Sequence, residues 1–282
     1  MNPNTTNSVC ILGHGITYSR SPLIHNHWIE KYGVDSEYGI CDLPAEKLPG
    51  FLSSIRDGKS AGCNVPTPYK QTVIQYLDAL DDAASGIGSV NTLYRRDGLL
   101  RGTSTDGAGY IGHLTNTHPD LQLKNARVLV LGAGGAARSI ADALVQKGCS
   151  VIYIANRTLQ KAREIAALQP DIIMPVAWDD LQSTAGLVDL LVNTTSLGMV
   201  GRQPLLFPLE NTQPDCVVSD IVYAPLETEL LAQARSLGRP VLDGLGMLLH
   251  QAVPGFQLWF GIEPQVTDEL RALVEQDLLS HG

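Results

Sequence analysis

Gly132-Ala133-Gly134-Gly135-Ala136-Ala137-Arg138 lies between an apolar run and a helical pattern, and that position gives its glycines a chemical use. The first glycine permits a tight turn, and the second lets backbone N–H groups approach a pyrophosphate. The small Ala137 lets helix and strand pack closely. The helix start then offers unpaired N–H groups and partial positive charge to the phosphates. These features predict a dinucleotide-binding turn; without its flanks the same pattern would be only a glycine-rich strand-to-helix connection. The choice of nucleotide falls about twenty residues further on, where an NAD-binding chain usually has Asp or Glu to accept from the ribose 2′-OH. This chain has Asn156-Arg157-Thr158 instead, with Lys161 one turn later. A carboxylate would repel a 2′-phosphate, whereas a guanidinium fork, an ammonium and a hydroxyl would hold one. Arg157 and Lys161 could be ordinary solvated residues, but cations are unfavourable at a helix N-terminus and need a reason to be there. NADP is therefore expected as the cofactor, bound by Gly132, Gly134, Gly135, Ala136, Asn156, Arg157, Thr158 and Lys161.

Short apolar runs alternate with longer helical patterns, the mark of an α/β protein with mainly parallel sheets. In the first third, strands are predicted at 8–12, 38–41 and 61–65, with a helix-like stretch at 45–56. Ser21 reads as the N-cap of a helix with Pro22 at its first position. Residues 90–94 and 99–103 read as a hairpin turning at Asp97-Gly98. A second unit opens near 107. Its first strand, 126–131, is apolar almost throughout, as expected of a strand covered on both faces. Further strands are predicted at 150–155, 171–176, 189–192, 217–221 and 240–242, and helices at 245–260 and 267–279. The last forty residues or so are expected to pack back on the first unit. The expected domains are thus 1–106 with 244–282, and 107–243, the latter a Rossmann-type dinucleotide-binding domain.

The chain has 282 residues, 44% hydrophobic and 17% charged, which suits a globular protein with a full core. No 18 apolar residues run together, so no membrane span is expected. The first residues, MNPNTTNSV, carry no basic cluster and no apolar core, so a signal peptide is not expected either. Twenty basic against 29 acidic residues give a formal charge of −9, which repels nucleic acid but leaves room for a small anion held by a few placed cations. The five cysteines are odd in number and widely spaced, which suggests buried reduced thiols, and no Cys/His grouping calls for a metal. A cytoplasmic monomer or homodimer is expected.

The first unit has polar residues at its strand ends. They are Ser19-Arg20-Ser21-Pro22, Asn64-Val65-Pro66-Thr67-Pro68-Tyr69-Lys70, Ser89-Val90-Asn91-Thr92 and Thr105-Asp106-Gly107. Followed by Asn193-Thr194-Thr195-Ser196, Gly198-Met199, Asp220, Tyr223, Gly246-Met247-Leu248 and Gln251, the order resembles the shikimate dehydrogenase family over essentially the whole chain. The resemblance implies a substrate domain and an NADP domain with a cleft between them, and reversible reduction of 3-dehydroshikimate to shikimate. It implies that Ser19 and Ser21, with Tyr223, hold the substrate carboxylate. Lys70, Asn91, Asp106 and Gln251 would surround the ring hydroxyls, and Thr194, Gly244 and Met247 would meet the cofactor. Lys70 and Asp106 match the family's catalytic pair. Hydride transfer needs an acid–base group beside the carbonyl oxygen, and a Lys tuned by a neighbour can serve; read from the residues alone, the two could equally be a structural ion pair. Three places depart from the pattern. Gly15 and Tyr18 stand where Pro and His are common, Pro66 stands where a substrate-binding Thr is usual, and Ser104 stands where Asn is usual. The expected substrate is therefore shikimate or a related ring acid such as quinate or aminoshikimate. A non-catalytic nucleotide or metabolite sensor is the alternative.

Overall fold

A computed structural model describes residues 8–16 and 19–281 of the chain; Tyr18 lies outside the described residues. Two compact units divide the chain. One runs to Thr105 and takes in Gln251–Val274, and the other is Asp106–His250 with the residues from Glu275 onward. The first crossing lies beside the boundary read at 106. The second falls after His250 rather than at 243, and the last helix, Asp268–His281, contributes to both units.

The first unit contains β1 (Val9–Gly13), α1 (Ser21–Tyr32), β2 (Tyr38–Asp42), α2 (Leu48–Arg56), β3 (Gly62–Asn64), α3 (Tyr69–Thr72), β4 (Ala79–Leu80), α4 (Asp82–Ser85), β5 (Thr92–Arg96) and β6 (Leu99–Thr103). The six strands form one sheet in the order β2-β1-β3-β5-β6-β4. β1 runs parallel to β2 and β3, whereas β5 is antiparallel to both β3 and β6, so this sheet is mixed. The β5–β6 hairpin closes at Asp97 and Gly98, whose φ angles of 54° and 76° form the tight turn predicted for that pair. Ser21 is the first residue of α1 rather than its cap: Arg20 holds the cap position, and Ser19 Oγ accepts from the Ser21 N–H at 3.2 Å.

Alternate side chains of these strands serve two layers. Cys10, Leu12, Cys63, Leu93 and Leu100 pack with Leu48, Leu52 and Ile55 of α2. An aromatic layer gathers around His25: Trp28 of α1, Tyr38 of β2, and Phe256 and Trp259 of the returning helix Ala252–Phe260. Gly62 allows that helix to dock, because a Cβ there would overlap the Leu93 carbonyl and the Trp259 indole. The indole N–H instead donates to the Leu93 carbonyl at 2.9 Å. All five cysteines are unpaired thiols, four of them buried.

The second unit contains α5 (Asp106–Thr117), β7 (Arg127–Leu131), α6 (Gly135–Gln146), β8 (Val151–Ala155), α7 (Leu159–Ala166), β9 (Ile173–Val176), α8 (Leu181–Ala185), β10 (Leu190–Asn193), β11 (Val217–Asp220), α9 (Glu229–Ser236), β12 (Val241–Leu242) and α10 (Gly244–His250). Its sheet is parallel throughout, in the order β12-β11-β10-β7-β8-β9. This is the doubly wound arrangement, whose strand order reverses beside β7. Along β7, Val128 and Val130 face one core and Leu129 and Leu131 the other, which explains the unbroken apolar run. α10 stays in this unit because it packs on α5. A Cβ on Gly246 would overlap the buried His113 ring, and His113 Nε2 lies 3.1 Å from the Asp243 carbonyl. No helix among the described residues is long and apolar enough to cross a membrane.

Candidate functional site

In the first unit, one end of the sheet collects the polar motifs. Antiparallel pairing sets Asn64 opposite Thr92, and Thr92 opposite Thr103. The end of β3, the start of β5 and the end of β6 therefore meet at one edge. Backbone bonds tighten the junction: Val65 N–H donates to the Asn91 carbonyl at 2.7 Å, Asn91 N–H to the Thr103 carbonyl at 3.0 Å and Val90 N–H to the Lys70 carbonyl at 2.9 Å. The last bond seats Lys70, the second residue of the short α3, beside Asn91. Tyr69 anchors that turn by donating its hydroxyl to the Leu43 carbonyl at 2.9 Å.

The side chains here are buried. Asn64, Asn91, Thr92, Ser104 and Thr105 are all less than 8% exposed, so each amide and hydroxyl must find a partner. Asn91 Nδ2 donates to Thr105 Oγ1 at 3.0 Å, and Asn91 Oδ1 accepts from the Thr105 N–H at 2.9 Å. Thr105 Oγ1 lies 3.5 Å from Gln251 Oε1. Gln251 breaks the helix predicted over 245–260 into α10 and the returning helix, and it is the first residue to rejoin this unit. The structure thus brings together Asn91 and Gln251 through Thr105, and Ser19 with Ser21. Lys70 is half-buried at the rim.

In the second unit, Asp106 opens α5 and is 7% exposed. Gly107, next to it, brings α5 against the backbone of Ser139 in α6, where a Cβ would not fit. The glycine turn has the features a diphosphate requires. Gly132 has φ +110°, its N–H donates to the Ala155 carbonyl at 2.7 Å, and a Cβ on it would strike Thr194. Thr194 is held by donation from its hydroxyl to the Leu131 carbonyl at 2.7 Å. Gly134 is the N-cap of α6 with no side chain closing the cap, and the space at its Cβ position is open. Gly135 and Ala136 form the first turn of the helix, whose N–H groups have no partners within the helix. Ala137 is fully buried against the sheet. These residues fit a bound dinucleotide.

At the end of β8, Asn156 Nδ2 donates to the Thr158 carbonyl at 2.9 Å and shapes the turn that leads into α7. Arg157, Thr158 and Lys161 lie around it on the surface. Gly244 and Met247 belong to α10; Met247 is buried in the core that includes Tyr110. Asp243, which sequence reading passed over, accepts from the Gly246 N–H at 3.0 Å and so caps α10. The spacing from Asp243 to Gly246 is the sequence signal for such a cap.

Asp220 ends β11 with no solvent exposure. Its Oδ1 accepts from Asn193 Nδ2 and from the Val222 N–H, both at 3.0 Å, and its Oδ2 accepts from the Thr228 hydroxyl at 2.8 Å. It therefore sets both the turn before Thr194 and the turn that carries Tyr223. Burial outweighs these bonds and pushes its carboxyl up to about 6, against about 3.9 for a free Asp. Between about pH 4 and 6 the native chain holds a proton that the unfolded chain has released. Stability should therefore fall as pH rises through that window, by on the order of 3 kcal/mol in all. Asp220→Asn keeps an acceptor for Asn193 and Val222, and its amide can donate to Thr228. Thermal melts between pH 4 and 7 should show a flatter profile for this variant; an unchanged slope would mean that the carboxyl ionises normally.

A doubly wound parallel sheet with an open glycine turn at its switch point defines a dinucleotide-binding α/β protein, here joined to a mixed-sheet unit with a buried polar edge. Comparison with known proteins carries this further. Residues 11–93 match the model of the shikimate dehydrogenase substrate binding domain, 114–200 that of shikimate / quinate 5-dehydrogenase, and 244–276 that of the shikimate 5′-dehydrogenase C-terminal domain. The shikimate dehydrogenase (NADP(+)) of Rhodopseudomonas palustris strain BisB5 is 44% identical over 275 residues, 98% of this chain and 96% of that protein. Among solved structures, quinate dehydrogenase from Corynebacterium glutamicum in complex with NAD matches with a TM-score of 0.88 and 30% identity, covering 96% of this chain and 99% of that one. Shikimate 5-dehydrogenase from Thermus thermophilus in complex with NADP(H) and shikimate matches with a TM-score of 0.83 and 32% identity, covering 97% and 99%. The chain belongs to the shikimate dehydrogenase family.

Proposed function

We propose that the protein is an NADP-dependent dehydrogenase that reversibly reduces 3-dehydroshikimate to shikimate. The observation that carries the reading is the buried Asn64–Asn91–Thr105–Gln251 edge with Lys70 seated beside it, on a chain whose full-length relative is a shikimate dehydrogenase (NADP(+)). Bound NADP supplies or accepts the hydride. Lys70 and Asp106 are the acid–base pair of the reaction: in reduction the Lys70 ammonium gives its proton to the developing alkoxide. Ser19, Ser21 and Tyr223 take the carboxylate, while Asn91 and Gln251 take ring hydroxyls through hydrogen bonds. Arg157, Thr158 and Lys161 take the 2′-phosphate of the cofactor, and the first turn of α6 its diphosphate.

Pro66 offers neither a hydroxyl nor an N–H, so one donor that the family directs at its substrate is missing. Losing a neutral hydrogen bond costs about 0.5–1.5 kcal/mol, which lowers the rate on shikimate without abolishing it. The test is initial-rate kinetics with purified protein, shikimate or quinate as substrate, and NADP or NAD as acceptor. Shikimate with NADP should give the highest kcat/KM. Faster turnover of quinate with NAD would move the substrate assignment to quinate, and no turnover with any pair would leave a binding protein.

A further inference from the structure

A chain of hydrogen bonds runs through the first unit, and its direction is fixed by two backbone groups. The Asn91 carbonyl can only accept, and it takes a bond from Asn64 Nδ2 at 3.3 Å. That fixes the Asn64 amide: its nitrogen also donates to Thr92 Oγ1 at 3.0 Å, and its oxygen faces Tyr38. The Thr105 N–H can only donate, which fixes Asn91 with its Oδ1 toward that group. Thr92, already accepting from Asn64, donates its hydroxyl to the same Oδ1 at 2.9 Å. The Thr105 N–H and the Thr92 hydroxyl are the two shortest contacts of that oxygen, each at 2.9 Å. Thr105 Oγ1 accepts from Asn91 Nδ2, and its own hydroxyl has two acceptors in reach, Asn91 Oδ1 at 3.2 Å and Gln251 Oε1 at 3.5 Å. The glutamine oxygen is the atom nearest Thr105 Oγ1, at 3.5 Å.

At the other end stands Tyr38. Its hydroxyl donates to Asn64 Oδ1 at 2.7 Å, the shortest link in the chain. The ring is 2% exposed and stacks on His25 at 4.4 Å with the planes 6° apart. Burial pushes the His25 imidazole down to about 3, so the plate behind Tyr38 stays neutral, and neither of its ring nitrogens has a hydrogen-bond partner among the described residues. Backbone bonds with Asn26 hold Tyr38 from the remaining side: the Tyr38 N–H donates to Asn26 Oδ1 at 2.9 Å, and Asn26 Nδ2 to the Tyr38 carbonyl at 3.0 Å.

We infer that Tyr38 is a positioning residue, anchoring from inside the unit the amides that take the ring hydroxyls. This rests on the substrate reading proposed above. Tyr38 acts through Asn64 and Thr92 on Asn91, and through Thr105 on Gln251. The ring hydroxyls of the substrate are thereby measured against one row of hydrogen bonds.

Tyr38→Phe keeps the stacked ring and deletes only the hydroxyl, and Thr92→Val interrupts the row at its middle with a side chain of similar shape. Each should raise KM for shikimate about three- to tenfold, with KM for NADP unchanged and kcat altered less than about twofold. The double variant should lose less than the product of the two single losses, because both break one row. Equal losses in both KM values and in kcat would reduce Tyr38 to a fold-stabilising residue, and independent, multiplying losses would break the row as a unit; either overturns the inference. If Tyr38→Phe does not fold, Thr92→Val alone decides by the same split. If the unaltered protein does not turn over shikimate, the function reading fails, and the inference is decided without substrate. In 15N spectra of Tyr38→Phe the side-chain amide signals of Asn91 and Gln251 should then move. A change confined to Asn64 would overturn it.

Discussion

Replacing Lys70 by alanine should cut turnover on the order of 10²–10⁴-fold, the range that loss of a general acid or base produces. The backbone context supports a clean substitution. Lys70 is half-buried in the short α3, and its carbonyl, which alanine retains, holds Val90 at 2.9 Å. Substrate affinity should change far less, since Ser19, Ser21 and Gln251 remain. A loss of kcat and kcat/KM together, with KM nearly constant, is the signature of a group that acts only in the transition state. Steady-state kinetics with shikimate and NADP will read it. A variant that keeps its turnover but binds poorly would make Lys70 a binding residue and end the acid–base assignment.

The second large effect concerns the choice of nucleotide. Arg157→Ala should raise KM for NADP about tenfold or more and leave KM for NAD nearly unchanged. A charge-assisted hydrogen bond contributes about 1.5–3 kcal/mol, and the low end applies at an exposed position such as this. The turn itself does not depend on the guanidinium, because Asn156 shapes it by donating to the Thr158 carbonyl at 2.9 Å. The measurement is KM for both nucleotides on both proteins. An equal loss for NADP and NAD would show that Arg157 supports the turn rather than a phosphate.

Parts of the fold were readable from the residues for definite physical reasons. A strand buried on both faces must be apolar at every position, so 126–131 announced itself, and Asp97-Gly98 suits a turn with positive φ at both residues. β4 escaped because Ala79 and Leu80 are two half-buried residues that become a strand only by pairing with β6. α5 escaped because Gly107, Gly109 and Gly112 weaken any local helix signal; the helix forms because the first of these lets it close on α6. The boundary read at 243 grouped α10 with the first unit, whereas its glycines pack on the His113 ring and the backbone around Ile221 in the second, contacts that no local pattern encodes.

The site divides in the same way. The glycine turn and the basic residues after β8 follow from spacing alone, while Ser19, Asn91 and Gln251 needed the family pattern, since a lone polar residue at a strand end has many uses. Tyr38 was invisible as a polar group. An aromatic residue in a strand reads as core, and its ring is core; only the hydroxyl, reaching Asn64, belongs to the site. Asp220 stood in a quoted motif, yet nothing local showed that a carboxyl there would be fully buried and bonded to three donors.

The β5–β6 hairpin has one end at the polar edge, where Thr92 pairs with Thr103, and the other at its turn, where Arg96 pairs with Leu99. Four residues of strand, at about 3.4 Å each, separate the two ends. Arg95, Arg96, Asp97 and Gly98 are all exposed; Arg95 Nε donates to the Arg56 carbonyl at 3.0 Å and Arg96 lies over the Tyr94 ring, so the contacts to the packed layers end before Asp97. That tip is therefore a handle. A fluorophore, a surface linker or a short epitope spliced between Asp97 and Gly98 would report on the protein or tether it at roughly 14 Å from the polar edge.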